Sequence, residues 1–487
     1  MLIKNEKEKS WNSTDYIRTI SLFLLNCIIL GLIFVLTIYV NDRAGFVQYF
    51  RINAPHFVYL IGMLFLICLV LYIYFYFDHK DFILQSKNVM LVFVIIETSL
   101  ILSFFIGKYI DVYARPIALG ALLALMLIGR RGAIFLNVSL CLLLFILDNF
   151  TNTNYIYENY NYSSLMIGFS AGMIAIYSVS GVKSRIKVFI MGFVIAIPVM
   201  LVSVFLEYGG RNHIGQAILL GLNGGLLSVV LFMALLPFFE VAFNIITDYR
   251  LHELTDHDSK LIKRLIVEAP GTFNHSIVVS NMAEACATAI GENSQLARAA
   301  AYYHDIGKIK NPNCFGENFV GGANPHDEFT PELSTDIIRS HAKDGYDLIK
   351  RSRLPDALAD VCLQHHGTMP IKFFYAKAKK LTEGNLNVED FSYPGPKPQT
   401  KVAAIIMLAD ASEARLRTVA NRSVENVEKC VLEIFDERME FEQFNECDIT
   451  MQEIEILRKT IVTCLTGIYH DRIKYPKLKI KKATSDE

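Results

Sequence analysis

Residues 303–308 read Tyr303-His304-Asp305-Ile306-Gly307-Lys308 and close an alanine-rich stretch with the periodicity of a helix. Adjacent residues on a helix point about 100° apart, because a turn takes 3.6 residues. The pair His304-Asp305 can therefore direct an imidazole to one metal ion and a carboxylate, with its two oxygens, between two. Outward from this pair, His275 lies upstream, and His341, the adjacent His365-His366 and Asp410 lie downstream. Any one of these histidines alone is more readily a core or surface hydrogen-bonder than a ligand. As a set, the seven side chains are what two metal ions a few ångström apart require, and such a pair can activate water against a phosphodiester. Imidazole and carboxylate ligation fits Fe, Mn or Zn, and the lack of a thiolate near the motif argues against a structural zinc site.

Around the motif the pattern is helical. Residues 274–290, 295–304, 333–352, 356–365 and 401–420 form helices by this reading, Gly291 is a C-cap for the first, and no stretch alternates as a strand does. An all-α domain can aim ligands from several helices at one point. Residues 250–264 are expected to form one polar helix leading into it. The loop 391–400 (FSYPGPKPQT) is stiffened by three prolines and reads either as a spacer or as a rigid rim on the site.

Lys308, four residues past His304, shares its face if the helix continues; it is expected to contact a phosphate, the alternative being terminal carbonyls. Arg415 and Arg417 follow Asp410 and suit bidentate phosphate contact, with a solvated face the expected place for at least one. His326 reads as supporting the ligands, facing substrate, or lying exposed beside Asp327. His470 has no assigned role, and Arg472 is expected to close a salt bridge in the last helix.

The first half of the chain is of another kind. Of 487 residues 53% are hydrophobic, the mean hydropathy is +0.34, and nearly all of the excess precedes residue 245. Apolar runs lie at about 16–41, 56–77, 90–111, 114–129, 132–148, 164–182, 188–206 and 216–239. A spanning helix needs about 20 apolar residues, so the expectation is eight spans, with seven or six as alternatives. The fourth and fifth runs, flanking Arg130-Arg131, are short enough to be a hairpin of two short helices. With the N-terminus inside, Lys4, Lys7, Lys9, Arg18, Lys80, Lys87, Arg130, Arg131, Lys183, Arg185 and Lys187 fall on the cytoplasmic side. Only Arg43, Arg51, Lys108, Arg115 and Arg211 fall opposite. That bias places both termini in the cytosol.

The first run, after a polar start without a cleavage pattern, reads as a retained anchor. Residues 151–164 form a polar outer loop. Glu97 in the third run is either functional or a structural hydrogen-bonder. Pro198 and Gly221, Gly224 and Gly225 point to a kink and close helix packing. Nine scattered cysteines with no C-x-x-C favour reduced thiols. A net charge of −1 offers no bulk basic surface for DNA or RNA.

These residues carry a resemblance. His275, His304-Asp305 and Asp410 match the H…HD…D pattern of the HD phosphohydrolase superfamily, and His341 and His365-His366 are the extra histidines of its dinuclear members. Further segments resemble the membrane-bound 7TM receptor HD, or PgpH-type, family: Pro270–Ser276 (PGTFNHS), Asn324–Asp327 (NPHD), Ile338–Gly345 (IRSHAKDG), Gln364–Gly367 (QHHG), Tyr393–Pro398 (YPGPKP) and Gly467–Arg472 (GIYHDR). The resemblance covers about 265–476 and extends through the membrane runs. It implies an all-α chain, a polytopic helical membrane bundle followed by a cytosolic all-α HD domain, in a bacterial cell membrane. The divisions are a tail 1–15, bundle 16–241, linker helix 242–264, HD domain 265–476 and tail 477–487.

The resemblance also implies hydrolysis of cyclic di-AMP to linear pApA at two divalent metal ions, Fe or Mn. His275, His304, Asp305 and Asp410 would hold the first ion. Asp305 would bridge to the second, completed by His341, His365 and His366. Asp305 and Lys308 would take catalytic roles, and Lys308 and Arg415 would contact substrate. The family usually carries a large extracellular domain after its first span, whereas about fifteen residues, 41–55, stand there in this chain. The rivals are a cyclic di-GMP phosphodiesterase of the HD-GYP type and a nucleotide-binding receptor without turnover. Against the former, Gly367-Thr368-Met369-Pro370 stands where a Gly-Tyr-Pro stretch is usual.

Overall fold

Proline decides one irregular feature of the apolar half. In the computed structural model, which describes residues 11–468 apart from 44, 53, 152–161, 183, 208–213, 320, 322–323 and 382–384, the fourth apolar run is broken. A 3-10 turn, Val112–Ala114, is followed by Arg115 in extended backbone (φ −59°, ψ 136°) and then by the short helix Leu119–Leu127. Pro116 supplies the reason, since it lacks an N–H and drives the residue before it out of helical conformation. The fifth run, by contrast, is the 22-residue helix Arg130–Thr151. The expected hairpin of two short helices is therefore corrected to one broken segment followed by one full-length helix.

Among the described residues, six helices are long and apolar enough to cross a membrane: Ser13–Asn41, Phe57–Asp78, Ser86–Tyr109, Arg130–Thr151, Arg185–Glu207 and Ile214–Phe243. The shorter apolar segments Val112–Leu127 and Ser164–Val179 accompany them. The chain is a multi-pass membrane protein. Between the first two long helices, the described residues hold only the seven-residue helix Phe46–Ile52.

Inside this half the irregular segment is closed by charge. The Arg115 guanidinium, 5% exposed, donates to both oxygens of Asp148 at 2.7 and 2.8 Å, and Asp148 is 2% exposed. Gly107 makes room for it, because a Cβ there would meet Arg115 Nε at 2.1 Å. Arg115 is thus a buried partner, not one of the outer loop cations with which it was grouped. Gly225 lets the Ile214–Phe243 helix meet Arg185–Glu207, where a Cβ would lie 2.5 Å from the Ala196 backbone. Glu97 keeps one buried carboxylate oxygen without a hydrogen bond. Breaking a buried ion pair from one side leaves an uncompensated charge, at a cost of about 3–5 kcal/mol. Asp148→Ala is therefore expected to unfold far more readily than the wild type in detergent melts, and Arg115→Met/Asp148→Leu to recover most of that loss.

The chain divides into two compact units, Met1–Arg250 and Leu251–Glu487. From the boundary onward, the expected single helix over 250–264 is two helices, Asp248–Leu254 and Lys260–Glu268. The polar run Thr255–Ser259 separates them: Asp256 Oδ1 accepts from the Asp258 N–H, and such side chains compete with helical backbone bonds. Beyond it the helices Pro270–Ile290, Ser294–Tyr303, Pro331–Arg351, Asp356–Gln364 and Lys401–Arg417 stand where helical spacing placed them, within a few residues. Gly291 caps the first in the left-handed region (φ 75°). Helices Lys372–Leu381, Val424–Glu440 and Met451–Ile468 complete the unit. Among the described residues the only extended pairing is an isolated bridge between Pro370 and Ser392.

The centre of this unit is the Lys401–Arg417 helix, buried continuously from Val402 to Asp410. Against it pack the Pro270–Ile290 and Ser294–Tyr303 helices. The latter approaches closely because Ala297, Ala299, Ala300 and Ala301 are fully buried. His470 and Arg472, most of the outer loop 151–164, and the tail 477–487 lie outside the described residues.

Candidate metal centre

The helix carrying the Tyr-His-Asp motif stops at Tyr303; His304 caps it, and Ile306–Lys310 tightens into a 3-10 turn. Lys308 is therefore not brought to the His304 face by a continuing helix, which corrects that premise. Its ammonium lies 2.6 Å from Asp305 Oδ2 and 2.8 Å from Glu317 Oε1. Gly307 explains the sharp turn: a Cβ there would lie 2.0 Å from the His341 carbonyl oxygen and 2.5 Å from the Gly345 nitrogen. The glycine brings the motif's backbone against the helix that carries His341, not against a phosphate.

All seven candidate ligands converge. His275, His304, Asp305 and Asp410 form one group and Asp305, His341, His365 and His366 another, each with its donor atoms within 4.8 Å of one another. Asp305 is common to both. Its Oδ2 lies 3.3 Å from His304 Nε2 and 3.7 Å from His275 Nε2, and its Oδ1 lies 3.3 Å from His341 Nε2 and 3.6 Å from His365 Nε2. One carboxylate oxygen thus faces each group.

The imidazoles are aimed from behind. His304 Nδ1 donates to the Ala301 carbonyl at 2.7 Å, His341 Nδ1 to Ile338 at 2.5 Å, and His365 Nδ1 to Cys362 at 2.9 Å. His275 Nδ1 lies 2.6 Å from Glu413 Oε2, and Arg417 donates to the other Glu413 oxygen at 2.6 Å. With Nδ1 so occupied, each Nε2 faces the centre, the arrangement that fixes a metal-binding tautomer.

Hydrogen bonding at the centre itself is incomplete. His304 Nε2 and both Asp305 oxygens are buried without a hydrogen bond of normal geometry, although Lys308 stands close to Oδ2. Burial opposes ionisation of Asp305, yet Lys308 and His304 hold its carboxyl well below the usual carboxylate range; His275 and His304 do the same for Asp410. Burial likewise disfavours the His304 cation, but Asp305 and Asp410 push it up to about 10. Burial and neighbouring imidazole hold His365 and His366 down. The centre is an anionic pair of carboxylates demanding positive charge, ringed by imidazole nitrogens, and that donor set fits divalent cations.

A cavity of about 780 Å³ opens onto it, within the ~300–1,000 Å³ range of small-molecule sites. Lys308, His341, His366, Asp410 and Tyr393 line the inner end; Arg415, Glu433, Glu437 and Arg438 line the outer. The proline-rich loop is thereby a wall of the site, since Tyr393 stacks on His366 at 4.2 Å between ring centroids. Arg415 lies at the rim, 60% exposed and 3.7 Å from Glu433, whereas Arg417 is committed to Glu413. His326 is buried, its Nε2 2.8 Å from the Cys314 carbonyl, and serves its own loop.

Sequence reasoning missed Glu413, Glu317 and the Glu433, Glu437 and Arg438 side of the outer wall. Glu413 had a signal, because it stands three residues after Asp410 on the same helix face. The charges of the Val424–Glu440 helix had none, since they read as a solvated surface.

The comparisons with known proteins follow the same two-part division. Residues 55–247 match the family model described as 7TM receptor with intracellular HD hydrolase, and residues 272–415 match that of the HD domain. The first half of the chain is thus similar to the membrane part of that family and the second half to the HD domain. Over 415 residues the chain is 38% identical to the Cyclic-di-AMP phosphodiesterase PgpH of Bacillus subtilis, covering 82% of this chain and 58% of that one. Over 293 residues it is 43% identical to the protein of the same name from Listeria monocytogenes, covering 59% of this chain and 40% of that one. It thus spans about half the length of these relatives. A crystal structure of the L. monocytogenes PgpH HD domain in complex with cyclic di-AMP is 47% identical, covers 45% of this chain and 100% of its own, and aligns with a TM-score of 0.43.

Removing an outer partner of a metal-binding imidazole typically costs 10–100-fold in metal affinity. Glu413→Ala is expected to weaken manganese binding by roughly that factor, measured by equilibrium dialysis of the detergent-solubilised chain.

Proposed function

We propose that this protein is a membrane-anchored phosphodiesterase that opens cyclic di-AMP to linear pApA and so lowers the level of that second messenger. The observation that carries the reading is Asp305, a buried carboxylate with one oxygen facing each of two ligand groups. The named activity of the two PgpH relatives supplies the substrate. His275, His304, Asp305 and Asp410 would hold one divalent ion, and Asp305, His341, His365 and His366 the other. The donor set of imidazoles and carboxylates fits iron or manganese, the metals that the family resemblance implies. Two such ions supply an activated water and neutralise charge on the phosphodiester.

The chain's own residues then have separable tasks. Lys308, held at the inner cavity wall by Asp305 and Glu317, keeps an ammonium beside the place of a phosphate oxygen. Burial disfavours that ammonium, but the two carboxylates raise its pKa and keep it charged. Arg415 at the rim is placed for the second phosphate. Tyr393 and the buried helices exclude bulk water from the inner end. In the hydrolysis, a water oxygen adds to one phosphorus and the P–O3′ bond breaks. The departing 3′-oxygen takes a proton, leaving a 5′-phosphorylated linear dinucleotide.

The divisions 1–15, 16–241, 242–264, 265–476 and 477–487 are proposed as tail, membrane bundle, linker, HD domain and tail. Both termini and the HD domain are proposed to be cytoplasmic, from the bias of Lys and Arg among the loops. Cyclic di-AMP and cyclic di-GMP, offered side by side to the full-length chain loaded anaerobically with iron or manganese, test the reading. Linear pApA is expected, and is expected to vanish in His304→Ala/Asp305→Ala. Binding without cleavage in either metal would favour a receptor, and cleavage of cyclic di-GMP alone would overturn the substrate.

A further inference from the structure

Of the five histidines at the centre, four have Nδ1 fixed by a carbonyl or by Glu413, as described above. His366 differs. Its ring forms no hydrogen bond among the described residues, and its Nδ1 stands 3.7 Å from Asp410 Oδ2. It is also the partly exposed member of the set and lines the cavity. Something other than a ring hydrogen bond must aim it.

The backbone just after it is held with unusual completeness. Gly367 turns in the left-handed region (φ 53°), which a side chain rarely adopts. Gln443, fully buried just past the Val424–Glu440 helix, occupies the space that a Cβ on Gly367 would need, 2.1 Å from its Oε1. That oxygen accepts the Thr368 N–H at 3.0 Å, and Nε2 donates to Thr368 Oγ1 and to the Phe441 carbonyl, each at 2.9 Å. Both N–H groups and the oxygen of the amide are thus engaged, and two of its three bonds go to the residue two places after His366. On the opposite side, the Tyr393 N–H donates to the Met369 carbonyl at 3.1 Å while the Tyr393 ring stacks on His366.

We infer that Gln443 is a positioning residue for His366, and through it for the second metal ion of the proposed dinuclear centre. The inference rests on that dinuclear reading. A buried amide with all its hydrogen bonds satisfied selects one backbone geometry, because each bond lost leaves an unpaired buried group. Gln443 therefore clamps the turn, the turn sets the His366 backbone, and Tyr393 fixes the ring plane. Gln443 and Thr368 form no hydrogen bond with His275, His304 or Asp410, so the effect falls first on the second site.

Manganese alone, titrated into the full-length chain in detergent, tests this by metal content and by the electron paramagnetic resonance of a coupled ion pair. The wild type is expected to bind two ions per chain; one ion only would overturn the dinuclear reading itself, before any variant is made. Gln443→Met, which keeps the volume and removes the hydrogen bonds, is expected to retain one ion at unchanged affinity. The second is expected to weaken roughly tenfold or more, with the coupled signal replaced by that of isolated manganese. Thr368→Val, which removes a single contact, is expected to do the same more weakly and serves if the first variant does not fold. Two ions bound as in the wild type would overturn the inference. So would equal weakening of both, alongside a lowered melting temperature, because that is the mark of a merely structural residue.

Discussion

Everything in the second unit depends on two carboxylates, Asp305 and Asp410, buried at the inner end of the cavity. A buried anion without compensation is too costly for a marginally stable domain to keep. Here the compensation comes from imidazole, from Lys308 and, in the proposed working state, from divalent metal. The packing is arranged around that need. Fully buried alanines let the Ser294–Tyr303 helix lie against the central one, and Gly307 lets the motif's turn touch the backbone of the helix bearing His341. A larger residue at either place would move one ligand away from the others.

The membrane unit meets a similar constraint differently. Pro116 opens a stretch of backbone that cannot complete a helix, and its neighbour Arg115 would be a lone buried cation. Asp148 neutralises it with both oxygens, and the surrounding helices enclose the irregular segment, which is where non-helical backbone is tolerated in a bilayer. One unit therefore closes its buried charge with a partner of its own. In the other, His304 Nε2 and both Asp305 oxygens stay unpaired side by side, and a cluster of unpaired buried ligand atoms points to a cation.

The ligand set was legible in the sequence because metal chemistry restricts residue types and helical spacing restricts where they point. His275, His304-Asp305, His341, His365-His366 and Asp410 could be named before any coordinates, and the structure brings them within reach of one another. The apolar runs were legible for their length. Features set by three-dimensional proximity alone were not. The break at Pro116 was hidden inside a run whose composition alone is apolar. Lys308 was misplaced because the helix ends at Tyr303, a consequence of Gly307 meeting a distant helix. Gln443 carries no local signal at all, since its partner lies 75 residues away.

Asp305 is proposed to join two metal ions. Anomalous diffraction from crystals of the manganese-loaded chain tests it most directly. The account requires two peaks roughly 3.5–4 Å apart, with one Asp305 oxygen on each, His275, His304 and Asp410 around the first and His341, His365 and His366 around the second. A single peak, or two peaks that do not share Asp305, would contradict it.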